Sequence, residues 1–169
     1  MKWLISICVF ACLGCGPNPY FSESVEINPL GWTGDNAIKF SPEIMDTSSV
    51  YELQLIIDHQ SDYRYENIYF LINTYFPDGI SNEEKLSVNL ATNKGEWVGK
   101  CSGENCKLKV YLLENFKFPS PGKYGFELSQ YTRDEPLEGI NALSLKLYCL
   151  LYTSPSPRDA TLSRMPSSA

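Results

Sequence analysis

Apolar residues fall at every second position through several short segments of this chain, the spacing that turns one side of an extended strand toward a core. Tyr51, Leu53, Leu55 and Ile57 share one face, while Glu52, Gln54 and Asp58 lie mostly on the other. Tyr124, Phe126 and Leu128 oppose Lys123, Glu127 and Ser129 in the same way, and Leu143, Leu145 and Leu147 oppose Ser144 and Lys146. In the run Ile68–Phe76, Ile68, Phe70 and Ile72 oppose Tyr69, Leu71 and Asn73, which predicts a strand buried on both faces at the centre of a sheet. Turn residues bound eight candidate strands: Ala37–Phe40, Val50–Asp58, Ile68–Phe76, Lys85–Leu90, Glu96–Lys100, Lys107–Leu113, Lys123–Thr132 and Ala142–Leu147. No stretch carries helical periodicity. The pattern predicts an all-β domain over residues 31–148, an antiparallel two-sheet sandwich of jelly-roll or immunoglobulin-like type, with a closed barrel as the second choice. Pro77-Asp78-Gly79 and Pro119-Ser120-Pro121-Gly122 have the chemistry of tight corners between strands.

The two ends read differently. Lys2 precedes a short apolar run that closes on Leu13-Gly14-Cys15, the layout of a lipoprotein signal over residues 1–14 with cleavage before Cys15. The run is about half of the roughly 20 residues needed to span a bilayer. Cys15 is the expected acylated residue, with Cys12 after Ala11 as the competing position and an ordinary secretory signal as the competing class. Residues 15–30 then predict an acylated cysteine and a flexible polar tether. At the other end, residues 149–169 lack periodicity and are rich in Ser and Pro, which predicts a disordered tail. The tail also resembles translated sequencing-adapter read-through, an artefact that would make it no part of the natural protein.

Charge narrows the partners. Residues 15–148 hold 11 Lys and Arg against 19 Asp and Glu, so phosphate backbones and anionic lipid headgroups are disfavoured and no nucleic acid partner is expected. Aromatic residues make up 13% of the chain, enough for either a packed interior or an exposed platform. Tyr63, Tyr65, Tyr69 and Tyr75 with Trp32 and Trp97 carry both readings: core packing, or a glycan- or peptide-binding surface.

Candidate chemistry is sparse. Cys101 and Cys106 flank the turn-rich Ser102-Gly103-Glu104-Asn105, where a hairpin would bring the thiols together; a disulfide closing so short a loop contributes about 2 kcal/mol. Two unpaired thiols are the alternative, and zinc would need more Cys or His ligands nearby. His59, the sole histidine, is expected in a solvated loop. Glu83 with Glu84, or Asp134 with Glu135, are acidic pairs without a cleft that the sequence can supply, and Asp78, Asn82 and Glu84 do not fit an EF-hand loop. No catalytic residue, metal, cofactor or small-molecule substrate is expected.

An ordered set of segments carries a family resemblance: Cys15 followed by Gly31-Trp32, Phe76-Pro77-Asp78-Gly79, and Gly95-Glu96-Trp97-Val98-Gly99-Lys100. It continues through Phe118-Pro119-Ser120-Pro121-Gly122-Lys123-Tyr124-Gly125-Phe126-Glu127-Leu128, then Gln130, Arg133 and Leu137-Glu138-Gly139-Ile140. Over residues 1–147 the chain resembles the gliding-motility lipoprotein family GldH of the Bacteroidetes. Thr132 departs from the expected methionine, and Cys101 and Cys106 fall outside the family pattern. The resemblance implies a non-enzymatic accessory of the gliding machinery, which shares components with type IX secretion, with Gly31, Trp32, Trp97, Pro119, Pro121, Gly122, Tyr124, Glu127 and Arg133 as structural or interaction residues. The implied partners are membrane lipid, through Cys15, and other envelope proteins. Gly16-Pro17-Asn18-Pro19 lacks an acidic export cluster, so the expected site is the periplasmic leaflet of the outer membrane, with the inner membrane next.

Overall fold

The computed structural model describes residues 18–150; the signal region with Cys15, and the tail from residue 151 onward, lie outside them. Eleven strands follow one another: β1 (Phe21–Glu26), β2 (Ile38–Phe40), β3 (Glu43–Ile44), β4 (Val50–Gln60), β5 (Asn67–Tyr75), β6 (Ser81–Asn89), β7 (Lys100–Ser102), β8 (Asn105–Phe116), β9 (Gly122–Lys123), β10 (Gly125–Gln130) and β11 (Ile140–Leu150). They form a five-stranded sheet in the order β1-β11-β4-β8-β7, a four-stranded sheet in the order β2-β10-β5-β6, and the small pair β3-β9. Every pairing is antiparallel, and the all-β sandwich expected from the alternation is what the chain adopts.

The core is where the two alternating patterns meet. On the larger sheet Leu53, Leu55 and Ile57 stand opposite Leu147, Leu145 and Leu143 in register, all at most 1% exposed. Ile68, Phe70, Phe126, Leu128, Ile38 and Phe40 face them from the smaller sheet. Each such side chain contributes about 1.5–3 kcal/mol by leaving water.

Several segments differ from expectation, each for a physical reason. Residues 21–26, read as tether, form strand β1 along β11; as an edge strand it turns only Phe21 and Val25 toward the core, so its sequence stays polar. Glu96–Lys100 is no strand: Trp97 makes a single bridge to Ala91 and pairing starts at Lys100. A Cβ on Gly99 would sit 2.6 Å from the Lys107 carbonyl oxygen, so the chain here hugs β8 through a residue without a side chain. Cys149, placed in the tail, is paired with Tyr51 because β11 continues as far as β4 gives it a partner. Strand β5 is central in its sheet, yet only one face is buried; no layer formed by the described residues covers the other, where Tyr69 and Tyr75 are exposed.

At the Pro119–Tyr124 corner, Tyr124 is 1% exposed, donates its hydroxyl to the Ser120 carbonyl at 2.8 Å, and packs edge-on against Phe118 and Phe76. Gly122 holds φ at +134°, and a Cβ there would lie 2.8 Å from Pro77 Cβ. The two proline corners thus lock together, one over the other.

Candidate functional site

The sequence groups the family-type residues into one string, but β10 separates them in space. Pro119, Pro121, Gly122 and Tyr124 precede this strand and Arg133 follows it, so its six residues hold them about 20 Å apart. Glu127 lies between, on the outer face, paired with Lys39 at 3.2 Å and within 3.5 Å of the Tyr75 hydroxyl. Gly31 and Trp32 belong to the Arg133 end. Trp32 bridges to Leu137, is 1% exposed and donates its indole N–H to the Asn36 carbonyl at 2.7 Å. Gly31, at φ +113°, approaches so closely that a Cβ would meet Pro136 Cβ at 2.6 Å.

The loop after β10 is built on a buried amide. Gln130 donates to the Asp134 carbonyl at 3.2 Å and to the Glu135 carboxylate at 2.7 Å, and its own carbonyl accepts from the backbone N–H and the hydroxyl of Thr132. Glu135 in turn accepts the Gly34 N–H at 2.9 Å, tying the loop to the segment beside Trp32. These bonds set the outward residues in place. Tyr65, Tyr69, Tyr131, Thr132, Arg133 and Asp134, with Asn67, line a cleft of about 780 Å³ on the uncovered face of the smaller sheet. The Tyr65 hydroxyl donates to Asp134, which raises the tyrosine's pKa, and Arg64 stands 3.6 Å from the same carboxylate. Asn67 donates to the Tyr69 hydroxyl at 3.0 Å, and Lys85 to that of Tyr131 at 3.2 Å.

The aromatic set read from the sequence divides accordingly. Trp32 and Tyr63 are interior, Trp97 is half-buried with its N–H on the Ser61 carbonyl at 3.1 Å, and Tyr65, Tyr69 and Tyr75 are exposed. Tyr131 was not among them. Its signal was the period-two run of outward positions Glu127, Ser129 and Tyr131, which continues one step past the strand.

His59 corrects the expectation of a solvated loop residue. It is fully buried near the end of β4, opposite Cys106 and Ile140 in register, with Trp97 edge-on at 4.7 Å. Its Nδ1 lies 2.9 Å from the Gln60 carbonyl, and its Nε2 has no hydrogen-bond partner among the described residues. His59 opens the polar stretch His59-Gln60-Ser61-Asp62, but β4, β8 and β11 each run two residues further than the expected strands Val50–Asp58, Lys107–Leu113 and Ala142–Leu147 at this end and enclose it. Beside it, Cys101 and Cys106 face each other across the β7–β8 hairpin and are joined as a disulfide.

The other acidic candidates are engaged locally. Asp134 and Glu135 hold the loop, Asp78 accepts the Ile80 N–H, and Asn82 donates to Glu84. Among the described residues no three His, Cys, Asp or Glu side chains are grouped to hold a metal ion, and no helix is long and apolar enough to cross a membrane.

Comparison with known proteins extends over this whole body. The family described as GldH lipoprotein matches residues 19–147. A protein named gliding motility lipoprotein GldH homolog from Christiangramia forsetii is 27% identical over 86% of this chain and 91% of its own length. The gliding motility lipoprotein GldH of Flavobacterium johnsoniae is 21% identical over 85% of this chain and 93% of its own. Among solved structures, a family 115 4-O-methyl-α-glucuronidase with specificity for decorated arabinogalactans superposes at 12% identity over 80% of this chain and 18% of that one, with a TM-score of 0.45, too low to transfer anything about activity. Strand β1, the proline corners, the sandwich core and the Gln130 loop all fall inside the family match, and the chain belongs to the GldH lipoprotein family.

Proposed function

We propose that this protein is a lipid-anchored accessory of the gliding machinery that works by holding neighbouring envelope proteins and not by transforming a substrate. The observation that carries the reading is the alignment with two gliding motility lipoproteins over nearly their full lengths. Acylation of Cys15 supplies the anchor; two or more acyl chains make attachment effectively stable where a single short one is reversible. A rigid sandwich tethered in this way keeps a docking surface at high effective concentration near the membrane. Holding fits the described side chains better than catalysis does: the single imidazole is enclosed against Trp97 with no carboxylate bonded to it. The expected address is the periplasmic leaflet of the outer membrane.

Deletion of the gene in a gliding host tests the role directly. Loss of colony spreading and of adhesin movement, restored by the wild-type chain but not by Cys15→Ser, is the expected result. Unaltered spreading in the deletion strain refutes the role, and a Cys15→Ser protein that stays membrane-bound and unlabelled by palmitate refutes the anchor.

A further inference from the structure

We infer that the cleft formed by Tyr65, Tyr69, Tyr131 and Arg133 is a binding site for an acidic, uronate-bearing saccharide. Three large aromatic side chains, 39%, 44% and 52% exposed, converge on one cleft at one end of one sheet face, whereas the other exposed tyrosines, Tyr20, Tyr75 and Tyr111, lie outside it. Their presentation is organised. Each hydroxyl is held by a neighbour, Tyr65 by Asp134, Tyr69 by Asn67 and Tyr131 by Lys85, so ring orientations are set before any ligand arrives. The loop carrying Tyr131 and Arg133 is fastened from beneath by Gln130, which is 4% exposed. A volume of about 780 Å³ lies within the range of small-ligand sites.

The chemistry of the lining selects the ligand class. A pyranose ring presents a flat layer of C–H bonds with slight positive charge, which matches the negative face of an aromatic ring. Arg133 lines the cleft and makes no ion pair among the described residues, whereas Asp134 is satisfied by Tyr65 and Arg64. Arg133 therefore offers a guanidinium whose planar fork suits a carboxylate. Lys85, held on the Tyr131 hydroxyl and likewise without an ion pair among the described residues, adds a second positive charge beside the cleft, so in a chain of net charge −6 these two groups draw an acidic ligand to this spot. An extended peptide is the poorer fit: strand addition needs an unpaired edge, and β5 is hydrogen-bonded on both sides, to β10 and to β6.

The inference is independent of the gliding role, because it is read on the purified protein. The full acylated chain, in phosphatidylcholine nanodiscs free of sugar-based detergent, is titrated calorimetrically with oligomers of galacturonate, glucuronate and mannuronate, with cellohexaose as the neutral control. At least one uronate saturates in the millimolar range or tighter, binds roughly tenfold more strongly than cellohexaose, and weakens as salt is raised. Tyr69→Ala and Tyr131→Ala each lower affinity roughly tenfold. Tyr131→Leu, which keeps bulk but loses the flat face, serves if the alanine variant unfolds. Arg133→Ala lowers the preference for acid over neutral sugar, and Lys85→Ala combined with it removes that preference. Tyr75→Ala, on the same face but outside the cleft, leaves binding unchanged. The site is refuted if no uronate saturates, if Tyr75→Ala weakens binding as much as Tyr131→Ala, or if a polyglutamate peptide displaces the sugar at equal concentration, which would make it an acidic-peptide site.

Discussion

Replacing Gln130 by Met isolates the contribution of one buried amide to the loop that carries Tyr131 and Arg133. Methionine nearly matches the volume, so the core around position 130 stays filled and the change is chiefly the loss of four hydrogen bonds, two given by the amide nitrogen and two accepted by its oxygen. At 0.5–1.5 kcal/mol each, four such bonds set an upper range of about 2–6 kcal/mol. Thr132 and Asp134 are only half-buried and Glu135 is exposed, so water replaces part of what is lost and the expected cost falls to about 2 kcal/mol. For a domain of this size that corresponds to a melting temperature lower by about 8 °C. Calorimetry reads the global cost, and hydrogen exchange at the Thr132 amide reads the local one, because that N–H bonds to the Gln130 side chain and not to a strand. Exchange there should accelerate while the amides of β4 and β11 lose only the global difference. A melting temperature within about 2 °C of the parent, with Thr132 equally protected, would show that the loop is held by its own backbone and that Gln130 is a passenger.

Three further outcomes follow from single sites. Gly122→Ala places a side chain at φ +134° and 2.8 Å from Pro77 Cβ, so it should destabilise by about 1–3 kcal/mol or more in urea unfolding; an unchanged midpoint would mean that the two corners are not interlocked. Asp46 accepts hydrogen bonds from the hydroxyls of Ser48 and Ser49, which holds its pKa at about 2 against the ordinary 3.8. Because the folded value is depressed, its contribution to stability is present above pH 3.8 and fades as pH falls toward 2. Ser48→Ala should move the Asp46 titration upward by NMR, and a curve that does not shift refutes the assigned cause. His59→Phe removes the buried Nε2, which has no partner among the described residues and whose isolation costs about 1–3 kcal/mol, together with the Nδ1 bond to the Gln60 carbonyl, about 0.5–1.5 kcal/mol, while keeping an aromatic ring against Trp97; stability should change by no more than about 1 kcal/mol, and a loss above about 2 kcal/mol would show that the imidazole gives more than its one bond to Gln60.

The alternation of Tyr51, Leu53, Leu55 and Ile57, and of Leu143, Leu145 and Leu147, was enough to establish strands, faces and an all-β sandwich, because a half-buried strand writes its burial into every second residue. Edges and surroundings leave no such mark. Strand β1 reads as tether since only two of its side chains meet the core, and Tyr69 reads as interior because an aromatic residue has the same pattern whether or not another layer covers it. His59 sits in a polar stretch, and only its neighbours in register reveal that it is enclosed. The family-type residues were legible one by one; that they divide between two ends of β10 was not. Local period was sufficient to say which residues make strands and which side each strand buries. Only the folded chain brings polar and aromatic side chains from distant segments together, since Tyr65, Tyr69 and Tyr131 are joined in one cleft by strand pairing that reaches across nearly half the described chain, and no local period encodes a partner so far away.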